Sequence, residues 1–455
     1  MDKEFLVSYL KKRNYWWENK SITPMDRGNI RKEYLEKIEE NRQLERIICL
    51  SGIRRSGKTT ILFQYIDHLL KTKNPEEIVY AKMDDLHGRI DNIHEIVDVY
   101  HEITGIDPEK ASTCFILDEI HVMKDWQMQL KYYIDAHAKC QFIISGSSKT
   151  ILYLDASESL AGRIRFIEVF PLSFREYLEF NNIETHSTKI DFDDIGDFEK
   201  IEKNYLRLAA NKPDILFFLD QYFNTGGFPE WFKIKDMKQW QRTIVEDYFS
   251  LILFRDIVSV FKVKDPILLE KMVLDIAAIS TNRFTYSGLS ERLGIDRETV
   301  KLYLFYLKSS MMIFVADVYA PSRKAAEKRA KKLYFWEEGL RRALTLDMDD
   351  GKTAENLVAW HLIKKGRESR SSFEPYYWKN KFEVDFVYND MRKVIPVEVK
   401  YREHPGKGDI SGLMEFMENE KLKTGVVVTK DVFRKDEYGE RSLIYIPLWF
   451  FLQMM

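Results

Sequence analysis

The apolar and polar positions of the chain divide it into segments of different character. Residues 1–43 are polar with helical spacing, and Trp16 and Trp17 are the expected packing anchor against the segment that follows. From 44 to 172, short apolar runs alternate with amphipathic helical patterns, which predicts a parallel sheet covered by helices on both faces. From 173 to 265 the runs give way to aromatic-rich helical patterns, which predict a helical subdomain.

The rest of the chain shows three further patterns. Residues 266–320 run through helix, glycine turn, capped helix and strand, the order of a winged helix-turn-helix. Residues 321–332 form a linker with six basic residues between positions 323 and 332, and residues 333–455 again alternate strands and helices. The predicted fold class is therefore α/β, with a second α/β domain at the C-terminal end.

A glycine-rich motif lies between the first apolar run and the first amphipathic helix. It reads Gly52-Ile-Arg-Arg-Ser-Gly57-Lys58-Thr59-Thr60 and fits the phosphate loop G-x-x-x-x-G-K-T. Lys58 would reach the β- and γ-phosphates of ATP, and Thr59 would ligate Mg²⁺. The residues expected to contact the nucleotide are Gly52, Arg54, Arg55, Ser56, Gly57, Lys58, Thr59 and Thr60. An ordinary glycine turn before a helix is the alternative.

Two adjacent acids follow the apolar run that begins at Cys114. Asp118 is placed to hold Mg²⁺, and Glu119 to polarise the attacking water as a general base. A strand that ends in a solvated acidic turn would show the same pattern. Paired with a phosphate loop, the acids predict ATP hydrolysis.

Three more residues are candidates for sensing or stabilising the γ-phosphate. Ser145 and Ser147 end another apolar strand, where a plain Ser-Gly-Ser loop is the alternative. Arg163 would stabilise developing phosphate charge, from the same subunit or from a neighbour. A solvated arginine is the alternative for Arg163. Arg54 and Arg55 could instead face solvent or another domain.

The C-terminal segment holds a second group of charged residues. Asp385 ends Glu383-Val-Asp385, and Glu398 and Lys400 lie on one face of the run Pro396-Val-Glu-Val-Lys400. Asp385 and Glu398, with Glu355 as a third ligand, would bind Mg²⁺, and Lys400 would orient or deprotonate water for phosphodiester cleavage. A charged ladder at a sheet edge is the alternative.

These motifs together resemble the AAA-type ATPases of bacteria and archaea in which a P-loop domain precedes a nuclease-like domain of the PD-(D/E)xK type. Further motifs that carry the resemblance are Pro171-Leu-Ser-Phe-Arg-Glu-Tyr177, Gly226-Gly-Phe-Pro-Glu230, Arg255-Asp-Ile257 and Leu333-Tyr-Phe335. The resemblance implies a P-loop NTPase core at 44–172 and a restriction-endonuclease-like fold at 333–455. Trp336-Glu337-Glu338 departs from the family pattern, where an aspartate and a small residue are usual.

Nucleic acid is a candidate partner. In the winged helix, Arg297, Thr299 and Lys301 would point into the major groove, and the basic linker would lie along a phosphate backbone. The alternatives are a winged helix that serves as a packing module and a charge run that is simply solvated.

Composition limits the classes of partner and the cellular locations to be expected. The chain has 455 residues, with 70 Lys and Arg against 72 Asp and Glu, so the whole-chain charge gives no reason to expect a polyanion partner. No run approaches the roughly 20 apolar residues that span a bilayer, and the N-terminus has no signal-peptide core, so we expect a cytoplasmic protein. Three cysteines suit neither a zinc site nor a disulfide framework.

The predicted function is Mg²⁺-dependent ATP hydrolysis coupled to a nuclease-like domain that acts on or binds nucleic acid, with Glu119, Lys58, Arg163 and Lys400 as catalytic residues. The alternative is a slow ATP-controlled switch that uses an inactive nuclease-like fold to bind a protein or DNA. The sequence leaves the oligomeric state open.

Overall fold

Five apolar runs of the first 169 residues form the strands of one sheet. The protein is described by a computed structural model over residues 3–44, 47–146, 160–185, 192–327, 329–345, 348–369, 373–390 and 393–455. The chain folds into two units, Met1–Val169 (unit 1) and Phe170–Met455 (unit 2).

The strands of unit 1 are all parallel and run in the order β2-β3-β4-β1-β5. They are β1 (Ile47–Ser51), β2 (Ile78–Lys82), β3 (Cys114–Asp118), β4 (Gln141–Gly146) and β5 (Ile164–Glu168). The helices are α1 (Lys3–Arg13), α2 (Trp16–Asn19), α3 (Pro24–Arg27), α4 (Lys32–Arg42), α5 (Lys58–Leu69), α6 (Met83–Leu86), α7 (His94–Thr104) and α8 (Trp126–Asp135), with short 3-10 turns at Pro75–Glu77 and Ile120–Val122.

The sheet is apolar on both faces because helices cover both. Successive residues of a strand point to opposite faces, so Cys49 packs with α1, α7 and α8, while Ile48 packs with α2, α4 and α5. This explains why the central strands are continuous apolar runs instead of alternating ones. The parallel α/β sheet expected of a P-loop NTPase is confirmed.

The N-terminal helices pack on the edge of this sheet. The indole nitrogens of Trp16 and Trp17 both donate to the carbonyl of Ile78, at 3.1 and 2.9 Å. The predicted packing anchor is confirmed, and its partner is the edge strand β2.

Unit 2 begins with helices and ends in a large sheet. Its helices are α9 (Phe174–Phe180), α10 (Phe198–Leu208), α11 (Lys212–Thr225), α12 (Trp231–Ile234), α13 (Met237–Arg242), α14 (Ser259–Phe261), α15 (Pro266–Ile279), α16 (Tyr286–Leu293), α17 (Arg297–Ser309), α18 (Arg323–Glu327), α19 (Glu338–Thr345), α20 (Asp350–Ser369), α21 (Ser411–Asn419) and α22 (Leu448–Phe451). Thr243–Phe249 and Leu251–Val258 are π-helical, and Phe192–Asp194, Ala209–Asn211, Lys407–Ile410 and Leu452–Met454 are 3-10 turns.

Nine strands of unit 2 join in one sheet, in the order β13-β14-β12-β11-β10-β9-β7-β8-β6. They are β6 (Arg283–Phe284), β7 (Ile313–Val318), β8 (Lys331–Phe335), β9 (Tyr376–Lys379), β10 (Glu383–Asn389), β11 (Val394–Lys400), β12 (Thr424–Thr429), β13 (Arg434–Tyr438) and β14 (Arg441–Pro447). Because β7 pairs with β9, the strands after α17 continue directly into the C-terminal sheet.

The predicted linker, residues 321–332, was wrong at its C-terminal end, because β8 begins at Lys331. Lys331 and Lys332 are residues of β8, paired with β7 and β6, and both are buried. Their backbone groups are used by the sheet, so these two lysines do not lie on a solvated linker. The helix-turn-helix order of 266–320 agrees with the predicted elements, while its identity as a winged helix stays a prediction.

Across the described ranges, no helix is both long and apolar enough to cross a membrane.

Candidate functional site

The glycine-rich loop joins β1 to α5 at the carboxyl edge of the sheet in unit 1. Arg55 and Gly57 adopt positive φ values of 69° and 93°, which turn the backbone sharply ahead of the helix. Such turns create concave groups of N–H donors that bind phosphate oxygens. Gly52 is required for packing, because a Cβ there would lie 2.1 Å from the carbonyl oxygen of Val169.

Lys58 begins α5 and folds back over the loop. Its ammonium donates to the carbonyls of Gly52 and Ile53 at 2.9 and 3.1 Å. These contacts hold one positive charge at the mouth of the loop. Thr60 is half-buried behind it, and Ser56 is buried.

Asp118 lies at the end of β3 and accepts hydrogen bonds from three hydroxyl groups. Thr59 donates to Oδ2 at 2.7 Å, Tyr80 donates to the same oxygen at 3.0 Å, and Ser145 donates to Oδ1. Burial, followed by the charge of Glu119, raises the pKa of Asp118, and the three hydroxyls oppose the rise. The pair Thr59 and Asp118 is the contact that the metal-site prediction requires.

Glu119 follows in a left-handed conformation, with φ 56°. Its N–H donates to the Ser145 hydroxyl at 3.1 Å, which fixes its backbone against β4. Its Oε2 lies 3.4 Å from Nδ1 of His121 and has no hydrogen-bond partner within the described residues. One oxygen of the Glu119 carboxylate is therefore buried without a hydrogen-bond partner in the part of the chain that the structure describes.

Arg163 lies at the opposite edge of the sheet. It precedes β5, and its carbonyl accepts from the N–H of Ile47 at the start of β1. The five residues of β1 separate it from the loop by roughly 15 Å. Its guanidinium pairs with Asp135 at 2.5 Å. Arg163 therefore lies away from the phosphate loop of its own chain, and its role in stabilising phosphate charge, in the same subunit or in a neighbour, stays a prediction.

The structure describes three of the four remaining residues that were predicted to contact the phosphates. Ser145 uses its hydroxyl on Asp118, so its role as a phosphate sensor stays a prediction. Ser147 lies outside the described residues. Arg55 is exposed and Arg54 half-buried.

Three residues of this site were missed by the sequence reasoning. Tyr80 contacts Asp118, His121 contacts Glu119, and the buried Arg31 donates from Nη1 to the carbonyl of Ser56 at 2.9 Å. His121 was discoverable from its position two residues after the second acid. Tyr80 and Arg31 have no local motif, because they approach from other elements.

The donor set fits a nucleoside triphosphate with Mg²⁺. The loop supplies N–H groups and one ammonium for phosphate oxygens, and a threonine hydroxyl lies beside a buried carboxylate, as hard oxygen donors for Mg²⁺ require.

The charged residues of the C-terminal segment also come together, around an unexpected centre. The ammonium of Lys332 lies 3.0 Å from Glu355 Oε1, 2.9 Å from Glu383 Oε1 and 3.0 Å from Asp385 Oδ1. Its side chain is only 4% exposed. We call Lys332, Glu355, Glu383, Asp385, Glu398 and Lys400 the acid–lysine cluster.

Glu398 and Lys400 complete this cluster from β11. Lys400 pairs with Glu398 and lies 3.7 Å from Asp385 Oδ2, so strand alternation does place both on the face of Asp385. Asp385 also accepts from the N–H of Val399 at 3.0 Å, and its own N–H donates to Glu398 at 3.2 Å. The predicted acids and Lys400 thus lie close together, but Lys332 contacts both Glu355 and Asp385.

The cluster has four carboxyl groups and two lysines, and burial opposes the ionisation of its acids. Burial raises the pKa of Glu355 to about 7 and that of Glu398 to about 8. Burial opposes ionisation of Asp385 as well, but Lys332 and then Lys400 lower its pKa overall. The surrounding carboxylates, led by Glu355, raise the pKa of Lys332 well above its ordinary value despite its burial. Lys332 therefore stays charged.

The described part of the chain contains no group of three or more His, Cys, Asp or Glu side chains arranged to hold a metal ion. Glu355, Asp385 and Glu398 as a Mg²⁺ site, and Lys400 as a catalytic residue, stay predictions.

The predicted DNA-reading residues have local partners. Thr299 donates from its N–H and its hydroxyl to the carboxylate of Asp296, at 2.9 and 2.5 Å, and Asp296 thereby caps the N-terminus of α17. Lys301 pairs with Glu298 at 2.7 Å. The guanidinium of Arg297 lies 6.0 Å from the ring of Tyr286.

Comparison with known proteins supports the prediction of an AAA-type ATPase domain in the first part of the chain. Residues 44–178 match the family model described as an AAA domain. Unit 1 carries an AAA-type ATPase domain. Residues 217–351 and 350–451 match two domains of unknown function. The nuclease-like prediction for the C-terminal segment stays a prediction.

Whole-chain relatives are similar to this chain but uncharacterised. One from Haemophilus influenzae is 23% identical and covers 92% of this chain and 98% of its own length. Two from Methanocaldococcus jannaschii are 25% and 26% identical, over 89% and 94% of this chain and 87% and 88% of theirs. The similarity to these relatives therefore extends over both units of the chain.

Solved structures are more distant. A Walker-type ATPase of Pyrococcus abyssi is 16% identical, with TM-score 0.42 over 69% of this chain and 95% of that chain. The Orc1 protein of Aeropyrum pernix, solved in complex with DNA, is 11% identical, with TM-score 0.31 over 71% of this chain and 94% of that chain.

Proposed function

We propose that the AAA domain binds ATP with Mg²⁺ and hydrolyses it slowly, and that its nucleotide state controls what unit 2 binds. One observation carries the hydrolytic part. Thr59 of the phosphate loop donates at 2.7 Å to Asp118, and the next residue, Glu119, offers a carboxylate oxygen with no hydrogen-bond partner in the described residues.

Each residue of the AAA domain has a distinct task in this proposal. The loop N–H groups and Lys58 hold the phosphates, and Thr59 and Asp118 hold Mg²⁺, which when bound neutralises phosphate charge. Glu119 accepts the proton of the attacking water, as a general base. His121 lies beside it, with Nδ1 3.4 Å from Glu119 Oε2.

For unit 2 we propose a binding role without cutting. The Lys332 ammonium already contacts Glu355, Glu383 and Asp385 from a buried strand position. A divalent cation would have to displace this charge, and β8 cannot move away without breaking its pairing with β6 and β7. The ligand of unit 2 is then a nucleic acid or a protein, held and released with the nucleotide cycle.

The ATPase proposal is tested by equilibrium binding of a fluorescent ATP analogue to the full chain. We expect Mg²⁺-dependent binding in the wild type and in Lys71→Ala, which alters an exposed lysine just after α5. Lys58→Ala should lose it. Equal binding by Lys58→Ala and wild type would contradict the assignment of the loop.

The binding role of unit 2 is tested by incubating the full chain with single-stranded, duplex and branched DNA and Mg²⁺, with and without ATP. We expect no cleavage of any substrate. Cleavage that disappears in Glu398→Ala would overturn this role and establish a nuclease.

A further inference from the structure

Among the described strands, none pairs with the outer side of the edge strand β2, and side chains of the N-terminal segment bond there instead. The backbone groups that face outward belong to Ile78, Tyr80 and Lys82. Ile78 accepts from the indoles of Trp16 and Trp17, and Lys82 bonds through both its N–H and its carbonyl to the hydroxyl of Tyr9, at 2.9 and 3.2 Å.

Tyr80 lies in the middle of this edge and is held by one amide side chain. Asn14 accepts from the Tyr80 N–H at 2.6 Å and donates to the Tyr80 carbonyl at 3.0 Å. Asn14 is fully buried, and it also donates to the carbonyl of Leu10 in α1. The amide therefore fixes the backbone of Tyr80 in the way a paired strand would.

The side chain of Tyr80 crosses the sheet face toward the nucleotide site. Its ring packs 4.9 Å from that of Phe63 in α5, and its hydroxyl donates to Asp118 Oδ2 at 3.0 Å. Thr59 donates to the same oxygen. One carboxylate oxygen is thus held between the phosphate-loop helix and the edge strand.

We propose that Tyr80 is a positioning residue for the Mg²⁺-binding carboxylate Asp118, and that Asn14 of the N-terminal segment sets its position. A buried carboxylate with two donors on one oxygen has a fixed orientation, so its other contacts are preorganised. Without the tyrosine hydroxyl, Asp118 keeps its bond to Thr59 but loses its anchor on β2. This inference rests on the proposed ATPase function of unit 1.

The test is Tyr80→Phe in the full chain, measured by the Mg²⁺ dependence of fluorescent ATP-analogue binding. Tyr100→Phe is the matched control, because its hydroxyl contacts Glu76 and Thr113 instead of Asp118. We expect the Mg²⁺ concentration for half-maximal binding to rise about fivefold in Tyr80→Phe, the equivalent of one lost hydrogen bond. Binding in EDTA should stay within about twofold of wild type. Asn14→Ala should shift the Mg²⁺ dependence in the same direction.

Three outcomes would overturn the proposal. The first is a Mg²⁺ dependence of Tyr80→Phe equal to that of Tyr100→Phe. The second is an equal loss of binding with and without Mg²⁺, which would show a role in folding alone. The third is a wild type that binds no nucleotide, which would remove the proposed function itself and is recognised before any variant is compared.

Discussion

Lys332 donates from β8 to Asp385 of β10 across 3.0 Å, although 53 residues separate them in the chain. The sequence analysis predicted Lys332 at the end of a basic linker and Asp385 in a metal site. The structure joins them in one buried charge pair, because β6, β7 and β8 extend the C-terminal sheet. The lysine thus supplies the positive charge that the carboxylates of this site require.

Replacing this lysine should destabilise unit 2. In Lys332→Met, Glu355, Glu383 and Asp385 lose their shared cation, and removing one partner of a buried charge cluster costs about 3–5 kcal/mol. Lys331→Met is the matched control, since Lys331 lies on the same strand and pairs with the half-exposed Asp317. Its loss should cost less than that of Lys332, because Asp317 is 41% exposed and stays hydrated without the lysine. Urea unfolding followed by fluorescence measures both, and equal losses would contradict the central role of Lys332.

The glycine motif at 226–227 has a steric explanation that can be tested. Gly226 has φ 69° and ψ −161°, and a Cβ there would lie 1.8 Å from Glu337 Oε1. Gly294 has φ 69° and ψ 32°, with open space around it. Gly294→Ala should cost about 1–2 kcal/mol of unfolding free energy, from the left-handed backbone alone. Gly226→Ala should cost more, because its backbone conformation is essentially restricted to glycine and because the Cβ would overlap Glu337. Similar losses in the two variants would show that Glu337 does not constrain this turn.

Glu337 should make stability depend on pH. Burial raises its pKa to about 8, although the N–H groups of Leu340 and Gly227 donate to it at 2.7 and 2.5 Å. Between its ordinary pKa of 4.5 and about 8, the unfolded chain releases this proton while the folded chain keeps it. The free energy of unfolding should therefore fall as pH rises through this range.

Glu337→Gln isolates this effect, because glutamine does not titrate. The variant loses one acceptor at every pH, but its stability relative to wild type should improve steadily from about pH 5 to about pH 8. Urea unfolding at several pH values measures the difference. A difference that stays constant with pH would mean that Glu337 does not titrate in this range.

The local parts of the AAA domain could be predicted from sequence. The phosphate loop and the acids at 118 and 119 are short motifs at the ends of apolar strands, and adjacent parallel strands bring such ends to one edge of a sheet. Tyr80 could not be found in this way. Its contact with Asp118 depends on which strand lies beside β3, and no spacing in the sequence encodes that neighbour.

Other features depended on direction along a strand. Arg163 was grouped with the nucleotide-binding motifs from its sequence. It precedes β5, however, and in a parallel sheet the start of a strand lies at the edge opposite the phosphate loop. Lys332 was assigned to the linker because the basic run continues into the first two residues of β8. Alternation along β11, by contrast, correctly placed Glu398 and Lys400 beside Asp385.

Phosphate release from ATP by the full chain with Mg²⁺, compared with release by Glu119→Gln, is the decisive measurement. We expect slow hydrolysis by the wild type, and a variant that binds ATP with similar affinity but releases phosphate at least about a hundredfold more slowly, the loss expected for a general base. Equal rates of hydrolysis, or a wild type that binds ATP without ever releasing phosphate, would contradict this expectation.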